Sequence, residues 1–120
     1  MSERYLFCQA GGYAFLLRAE FMRHIWSQEE SPPDDFHATN PIDLRQRIGG
    51  ASQPNFISLG LDLPGGLSVL LVERIGRFAE IDDDEFLALP AVFDFAGALF
   101  DAACRREIEG AYPLRLRLGA

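Results

Sequence analysis

The sequence predicts a mostly β protein built from small, strongly curved sheets. The first observation is a pair of apolar runs, Arg4–Ala10 and Tyr13–Leu17, joined by Gly11 and Gly12. Glycine supplies the positive φ angles that a two-residue hairpin turn needs, so this segment is typical of a β-hairpin. Both runs are apolar on both faces, which favours strands of a small barrel over strands of a half-exposed sheet.

The second observation is another hairpin signal in the second half of the chain. Residues 56–63 alternate regularly, with leucine or isoleucine on one face and serine, glycine or aspartate on the other. Pro64-Gly65-Gly66 then turns the chain into the apolar run Leu67–Val72. A third alternating segment, Leu114–Leu118, predicts a terminal strand with one apolar face.

The segments after the first hairpin have different characters. Residues 18–26 form a short amphipathic run, and Ser27–Asn40 has the proline and acid content of an exposed connector. Residues 41–48 alternate again, which predicts a strand with Ile42 inward and with Asp43 and Arg45 outward.

The segments after the second hairpin include one clear helix start. Asp82 followed by Glu85 resembles a capping box, which predicts a helix of one or two turns ending near Pro90. The alternative of a metal site is disfavoured because consecutive acids lack the spacing of a calcium loop. Residues 92–109 keep both helical and strand period, so their structure is left open.

The 120 residues correspond to one domain, with approximate halves 1–50 and 51–120. Each half contains a hairpin followed by a short amphipathic turn. This repetition indicates a pair of small, related β-units within the single domain.

Composition excludes several classes of function. A net charge of −7 opposes binding to a phosphate backbone, so we expect no nucleic-acid partner. No apolar run reaches the roughly 20 residues of a membrane span, and residues 1–4 lack the pattern of a signal peptide. We therefore expect a cytoplasmic protein without membrane insertion, in which Cys8 and Cys104 are reduced core residues.

Few residues suggest chemistry. His24 and His37 are the only histidines, and no serine lies in a nucleophile-elbow context. The two cysteines and two histidines form no close ligand pair, and the glycine pairs are typical of turns rather than a phosphate loop. We predict a non-enzymatic protein without cofactor or metal. An active site assembled from distant residues is the remaining enzymatic alternative.

Four segments resemble the CheW-like domains of bacterial chemosensory arrays. The opening Tyr5–Ile25 is similar to the family's first hairpin and the turn after it. Residues 41–49 are similar to its proline, apolar, Asp-Leu-Arg strand, and Leu67–Ile75 with Phe78–Ile81 to its strands in the second half. The resemblance covers about residues 3–90.

The resemblance implies two five-stranded SH3-like barrels with a shared hydrophobic core. It also implies a non-catalytic role, because CheW-like adaptors connect receptors to the chemotaxis histidine kinase. Residues 99–105 and 114–118 would form a hairpin.

The chain departs from the family pattern at Ser27–Asn40. This acidic loop replaces a longer stretch whose strand carries an arginine linked to receptor contact. We therefore expect a reduced first barrel with an unpaired strand edge, which a second copy of the chain would cover in a homodimer.

The sequence thus predicts a non-catalytic adaptor or regulatory module of a chemosensory or two-component pathway, with a histidine kinase or receptor as partner. A free-standing β-barrel interaction module outside chemotaxis is the alternative. The candidate partner-binding residues are Asp43, Arg45, Val72 and Glu73. An ordinary strand with a solvated outer face is the competing interpretation of these residues.

Overall fold

The computed structural model describes residues 2–37, 39–43, 55–89 and 100–117. These residues contain ten strands: β1 (Ser2–Ala10), β2 (Tyr13–Arg18), β3 (Met22–Ser27), β4 (Pro41–Asp43), β5 (Ile57–Leu63), β6 (Gly66–Val72), β7 (Arg74–Asp82), β8 (Phe86–Ala88), β9 (Phe100–Cys104) and β10 (Leu114–Leu116). Three 3₁₀ turns accompany them, at Ala19–Phe21, Asp34–Phe36 and Asp83–Glu85.

The strands form two sheets. The six-stranded sheet has the order β7-β1-β2-β10-β9-β8, and the four-stranded sheet has the order β3-β5-β6-β4. The predicted mostly β fold class is confirmed. Each sheet combines strands that precede residue 50 with strands that follow it, so the two sheets do not correspond to the halves 1–50 and 51–120.

The first hairpin forms as predicted and lies between two cores. Ala10 pairs with Tyr13 across the turn, where Gly11 and Gly12 have φ angles of 59° and 85°. Tyr5, Phe7 and Leu16 face one core, whereas the intervening side chains of β1 and β2 face the other. The first hairpin is apolar on both faces because each face is buried in one of the two cores.

The larger core fills the space between the two sheets. Its buried members come from both sheets: Leu6, Cys8, Ala10, Phe15, Leu17, Leu59, Leu61, Leu70, Val72, Phe100 and Leu116. The alternation predicted for residues 56–63 is confirmed, since Leu59 and Leu61 of β5 point into this core. We call this side of the four-stranded sheet its inner face.

The smaller core lies on the other face of the six-stranded sheet. Tyr5, Phe7, Leu16, Ile81 and Cys104 form its buried part. The first and last strands of this sheet, β7 and β8, are consecutive in the chain and are joined by the 3₁₀ turn 83–85. The sheet therefore curls around the smaller core.

Two predicted elements differ from the structure. Within the amphipathic run 18–26, only residues 19–21 form a turn, and residues 22–27 pair with β5 as strand β3. The capping box is present, because Asp82 N donates to Glu85 Oε2 at 2.8 Å. The predicted helix is wrong beyond Glu85, however, since Phe86 begins a strand that pairs with β9 and packs edge-on against Tyr5.

The C-terminal hairpin is confirmed where the structure describes it. β9 and β10 are antiparallel, with Leu114 opposite Ala103. The sequence left open whether residues 92–109 form a helix or a strand. The structure shows a strand at Phe100–Cys104. Residues 92–99 lie outside the described part of the chain.

The burial of Cys8 leads to a prediction about its reactivity. Burial raises the pKa of Cys8 to about 12 from an ordinary value of 9.0, and the thiolate is the reactive form. At pH 8 we expect alkylation by iodoacetamide to be about a thousandfold slower in the folded protein than after unfolding in urea. The Cys104→Ala variant isolates Cys8 in this measurement. Equal rates in folded and unfolded protein would contradict the buried position.

Candidate functional site

An apolar groove of about 170 Å³ lies on the outer face of the four-stranded sheet, opposite the inter-sheet core. We call it the outer groove. It is lined by Trp26, Pro32, Phe36, His37, Thr39, Pro41, Phe56, Ser58, Val69 and Leu71. Strands β3, β5 and β6 supply the floor, because their outward-facing positions alternate with those that fill the inter-sheet core.

Phe36 anchors the acidic loop to this face. Its side chain is 2% exposed, and its ring centroid lies 5.7 Å from that of Trp26. The ring rests over Gly60, where a Cβ atom would lie 2.9 Å from ring atoms of both Phe36 and Trp26. The expectation of a simple exposed connector at 27–40 is therefore wrong at Phe36, which packs into the groove with buried Trp26 and Val69.

Hydrogen bonds also hold the first residues of this loop together. Glu30 Oε1 accepts a hydrogen bond from Ser27 N at 2.9 Å, and Glu30 N donates to Ser27 O at 3.1 Å. The bond from the Ser27 backbone lowers the pKa of Glu30 from its ordinary value. The charged form of Glu30 thus favours the folded loop, and this contribution is lost as the pH falls through that lowered pKa.

A polar cavity of about 250 Å³ also borders Phe36 and is otherwise lined by residues that do not reach the groove. Arg23 and Asp62 form an ion pair here, with 2.6 Å between Nη2 and Oδ2. His24 packs edge-on against Phe36, with 5.8 Å between the ring centroids. Phe36 therefore separates an apolar groove from a charged cavity on the same sheet face.

Of the predicted partner-binding residues, Asp43 lies beside the outer groove. Strand β4 runs parallel to β6, with Pro41 opposite Val69 and Asp43 opposite Leu71. Asp43 shares the outer face with Pro41, while Ile42 packs inward against the inter-sheet core as predicted. Arg45 lies outside the described residues.

Val72 and Glu73 are engaged in contacts within the fold. The side chain of Val72 is fully buried in the inter-sheet core and presents no surface to a partner. Glu73 N donates to Gln9 O at 2.9 Å, and its Oε1 accepts from Gly11 N at 2.8 Å. Glu73 therefore ties the crossing from β6 to β7 to the turn of the first hairpin.

Sequence reasoning missed Phe36, Trp26 and Gly60 as parts of the site. Two signals were present. Glycine in the interior of a strand often marks a close approach of another group, which is the situation at Gly60. A single aromatic residue in a loop of prolines and acids is a candidate anchor, which is the role of Phe36.

The described ranges contain no group of three or more histidine, cysteine, aspartate or glutamate side chains arranged to hold a metal ion. Across the same ranges, no helix has the length and apolar character needed to cross a membrane.

The close approach at Gly60 predicts a specific loss of stability. We expect Gly60→Ala to lower the free energy of unfolding by about 1–3 kcal/mol, because the methyl group displaces the rings of Phe36 and Trp26. Urea unfolding followed by Trp26 fluorescence measures the change. Gly65→Ala is the control, since a Cβ there meets no atom within 4 Å. Equal stability of the two variants would contradict the packing of Phe36 on Gly60.

The hydrogen bond between Glu73 and Gly11 predicts a second loss of stability. We expect Glu73→Ala to cost about 1–2 kcal/mol in thermal or urea unfolding, because Gly11 N loses its acceptor. Glu73→Gln should recover part of this loss, since its amide oxygen still accepts the bond. Exposed Glu107 provides the control, and Glu107→Ala should leave stability within about 0.5 kcal/mol of the parent. A neutral Glu73→Ala would remove the proposed anchoring role.

Comparison with known proteins gives a match in structure only. No protein-family model matches the sequence, and no curated protein does. Among solved structures, the chain is similar to the crystal structure of the scaffolding protein TtCheW from Thermoanaerobacter tengcongensis, with a TM-score of 0.76 and 12% sequence identity. The match covers 99% of this chain and 91% of that one. The chain therefore has a CheW-like fold, as the sequence resemblance implied.

Proposed function

We propose that this protein is a cytoplasmic, non-catalytic adaptor of a chemosensory pathway, which binds a histidine kinase or a receptor through its β-sheet surface. The observation that carries the proposal is the CheW-like fold over 99% of the chain, shared with a protein described as a scaffold. The ordered resemblance of the segments within residues 3–90 supports the same role. The two sheets correspond in this proposal to the two SH3-like units of a single domain.

The proposed partner surface is the outer face of the four-stranded sheet. It contains the outer groove and Asp43, which shares this face with Pro41. Arg45 lies outside the described residues, and it stays a proposed partner contact on the basis of its sequence alone. We assign Glu73 to positioning the first hairpin rather than to partner contact, because its carboxylate already binds Gly11 N.

One observation favours a second candidate function, a protein-interaction module outside chemotaxis. The acidic loop 27–40 stands where the resembling family has a strand with a receptor-linked arginine, and Phe36 fixes this loop against Trp26. Because this loop does not carry that arginine, the surface that it forms fits a partner other than a chemoreceptor. Binding to a kinase domain separates the two candidates.

The adaptor role predicts measurable binding to the regulatory domain of a chemosensory histidine kinase. Titration calorimetry should detect a complex at micromolar concentrations, and Asp43→Asn should weaken it about three- to tenfold because a polar contact at the interface is lost. Asp84→Asn, an exposed change of the same kind in the 3₁₀ turn between β7 and β8, should have no effect. The absence of binding at high micromolar concentrations would contradict the adaptor role.

A further inference from the structure

The chain segments that line the outer groove carry acidic groups and no lysine or arginine. Residues 24–37, 39–43 and 55–73 contribute the entire described lining. Apart from His24 and His37, their charged residues are all acids: Glu29, Glu30, Asp34, Asp35, Asp43, Asp62 and Glu73. Arg23 directly precedes the first of these ranges, and its guanidinium is paired with Asp62.

Several of these acids are already used within the protein. Asp62 pairs with Arg23, Glu30 accepts from Ser27 N, and Glu73 accepts from Gly11 N. Asp34 and Asp35 differ from them, because both are exposed and neither forms an ion pair with any described residue. Their charges are available to a partner.

The position of these two acids is fixed by the fold. They form the 3₁₀ turn that ends at Phe36, and the buried Phe36 ring holds that turn at the groove. Asp35 also lines the polar cavity that Phe36 separates from the groove. The fold thus holds the two aspartates next to Phe36, which is one of the residues that line the apolar groove.

The depression itself suits one large apolar side chain. Its volume is about 170 Å³, and its apolar walls include the rings of Trp26 and Phe36 and the side chains of Val69 and Leu71. An anchor in an apolar pocket surrounded by complementary charge is a common arrangement in protein interfaces, where the anchor supplies affinity and the charges supply specificity.

We propose that the outer groove docks a basic protein segment, with one apolar side chain inserted beside Trp26 and with flanking arginine or lysine residues against Asp34 and Asp35. This proposal rests on the proposed function, because it specifies the chemistry of the protein partner. It adds the surface that the partner contacts and the sign of the partner's charge.

The single tryptophan of the chain makes the test specific to the groove. Trp26 is 8% exposed and lines the outer groove, so its emission reports occupancy of that site. The probe is the acetylated peptide Gly-Ser-Arg-Arg-Leu-Arg-Arg-Ser-Gly, which contains no aromatic residue. Matched peptides replace its leucine with alanine or its arginines with glutamate.

We expect the arginine-leucine peptide to change the Trp26 emission with a saturable dependence on concentration. The alanine peptide should bind at least about fivefold more weakly, and the glutamate peptide should not bind. The double variant Asp34→Asn/Asp35→Asn should weaken binding of the first peptide about three- to tenfold at low salt. The control is Asp83→Asn/Asp84→Asn, which removes the same charge from the 3₁₀ turn 83–85 and should leave binding unchanged.

Three results would overturn the proposal. Trp26 emission unaffected by the arginine-leucine peptide would exclude occupancy of the groove. Equal weakening by the two double variants would indicate a general charge effect. Self-association of the protein that masks Trp26 before peptide is added would assign the groove to a second copy.

The same variants distinguish this proposal from the proposed function. If the kinase regulatory domain binds with unchanged Trp26 emission and with no effect of Asp34→Asn/Asp35→Asn, the docking proposal fails and the adaptor role stands. If the kinase domain does not bind but the arginine-leucine peptide occupies the groove, the adaptor role fails, and the groove is assigned to an interaction module outside chemotaxis.

Discussion

Burial of the first hairpin on both faces is the constraint on which the other features depend. Its strands separate the inter-sheet core from the core enclosed by the six-stranded sheet, so every side chain from Tyr5 to Cys8 is buried. A shift of register by one residue would exchange the side chains of the two cores. The Gly11-Gly12 turn limits such a shift, and Glu73 fixes this turn to the point where the chain passes from one sheet to the other.

The outer groove follows from this arrangement. Because the inner face of the four-stranded sheet must cover the inter-sheet core, strand β5 directs its leucines inward and leaves Ser58 and Gly60 on the outer face. These small residues make a depression that the neighbouring strands do not fill. The acidic loop 27–40 supplies Phe36 to cover part of it, and the uncovered remainder is the groove. A loop without an apolar residue at this position would leave Trp26 and Val69 exposed, which is unfavourable.

The elements predicted correctly from sequence are those specified by local patterns. The hairpin at Gly11-Gly12 and the alternation of β5 depend on turn chemistry and a period of two, both visible in consecutive residues. The mistakes concern elements whose structure is decided by distant partners. Phe86 joins a strand because β9 pairs with it, and Phe36 is buried because Gly60 makes room for it 24 positions later in the chain. Family resemblance suggests Val72 and Glu73 as partner contacts, but resemblance alone does not distinguish a residue that packs in the core from one that contacts a partner.

The combination of 12% identity with a match over 99% of the chain separates what the fold requires from what a partner requires. A core accepts many apolar sequences that keep volume and pattern, so the CheW-like fold persists through extensive substitution. A binding surface is less tolerant, because charge and shape must complement a particular partner. The identity of a partner therefore has to be sought in features peculiar to this surface rather than in the fold. Here those features are the apolar groove beside Trp26 and the acidic turn that Phe36 holds next to it.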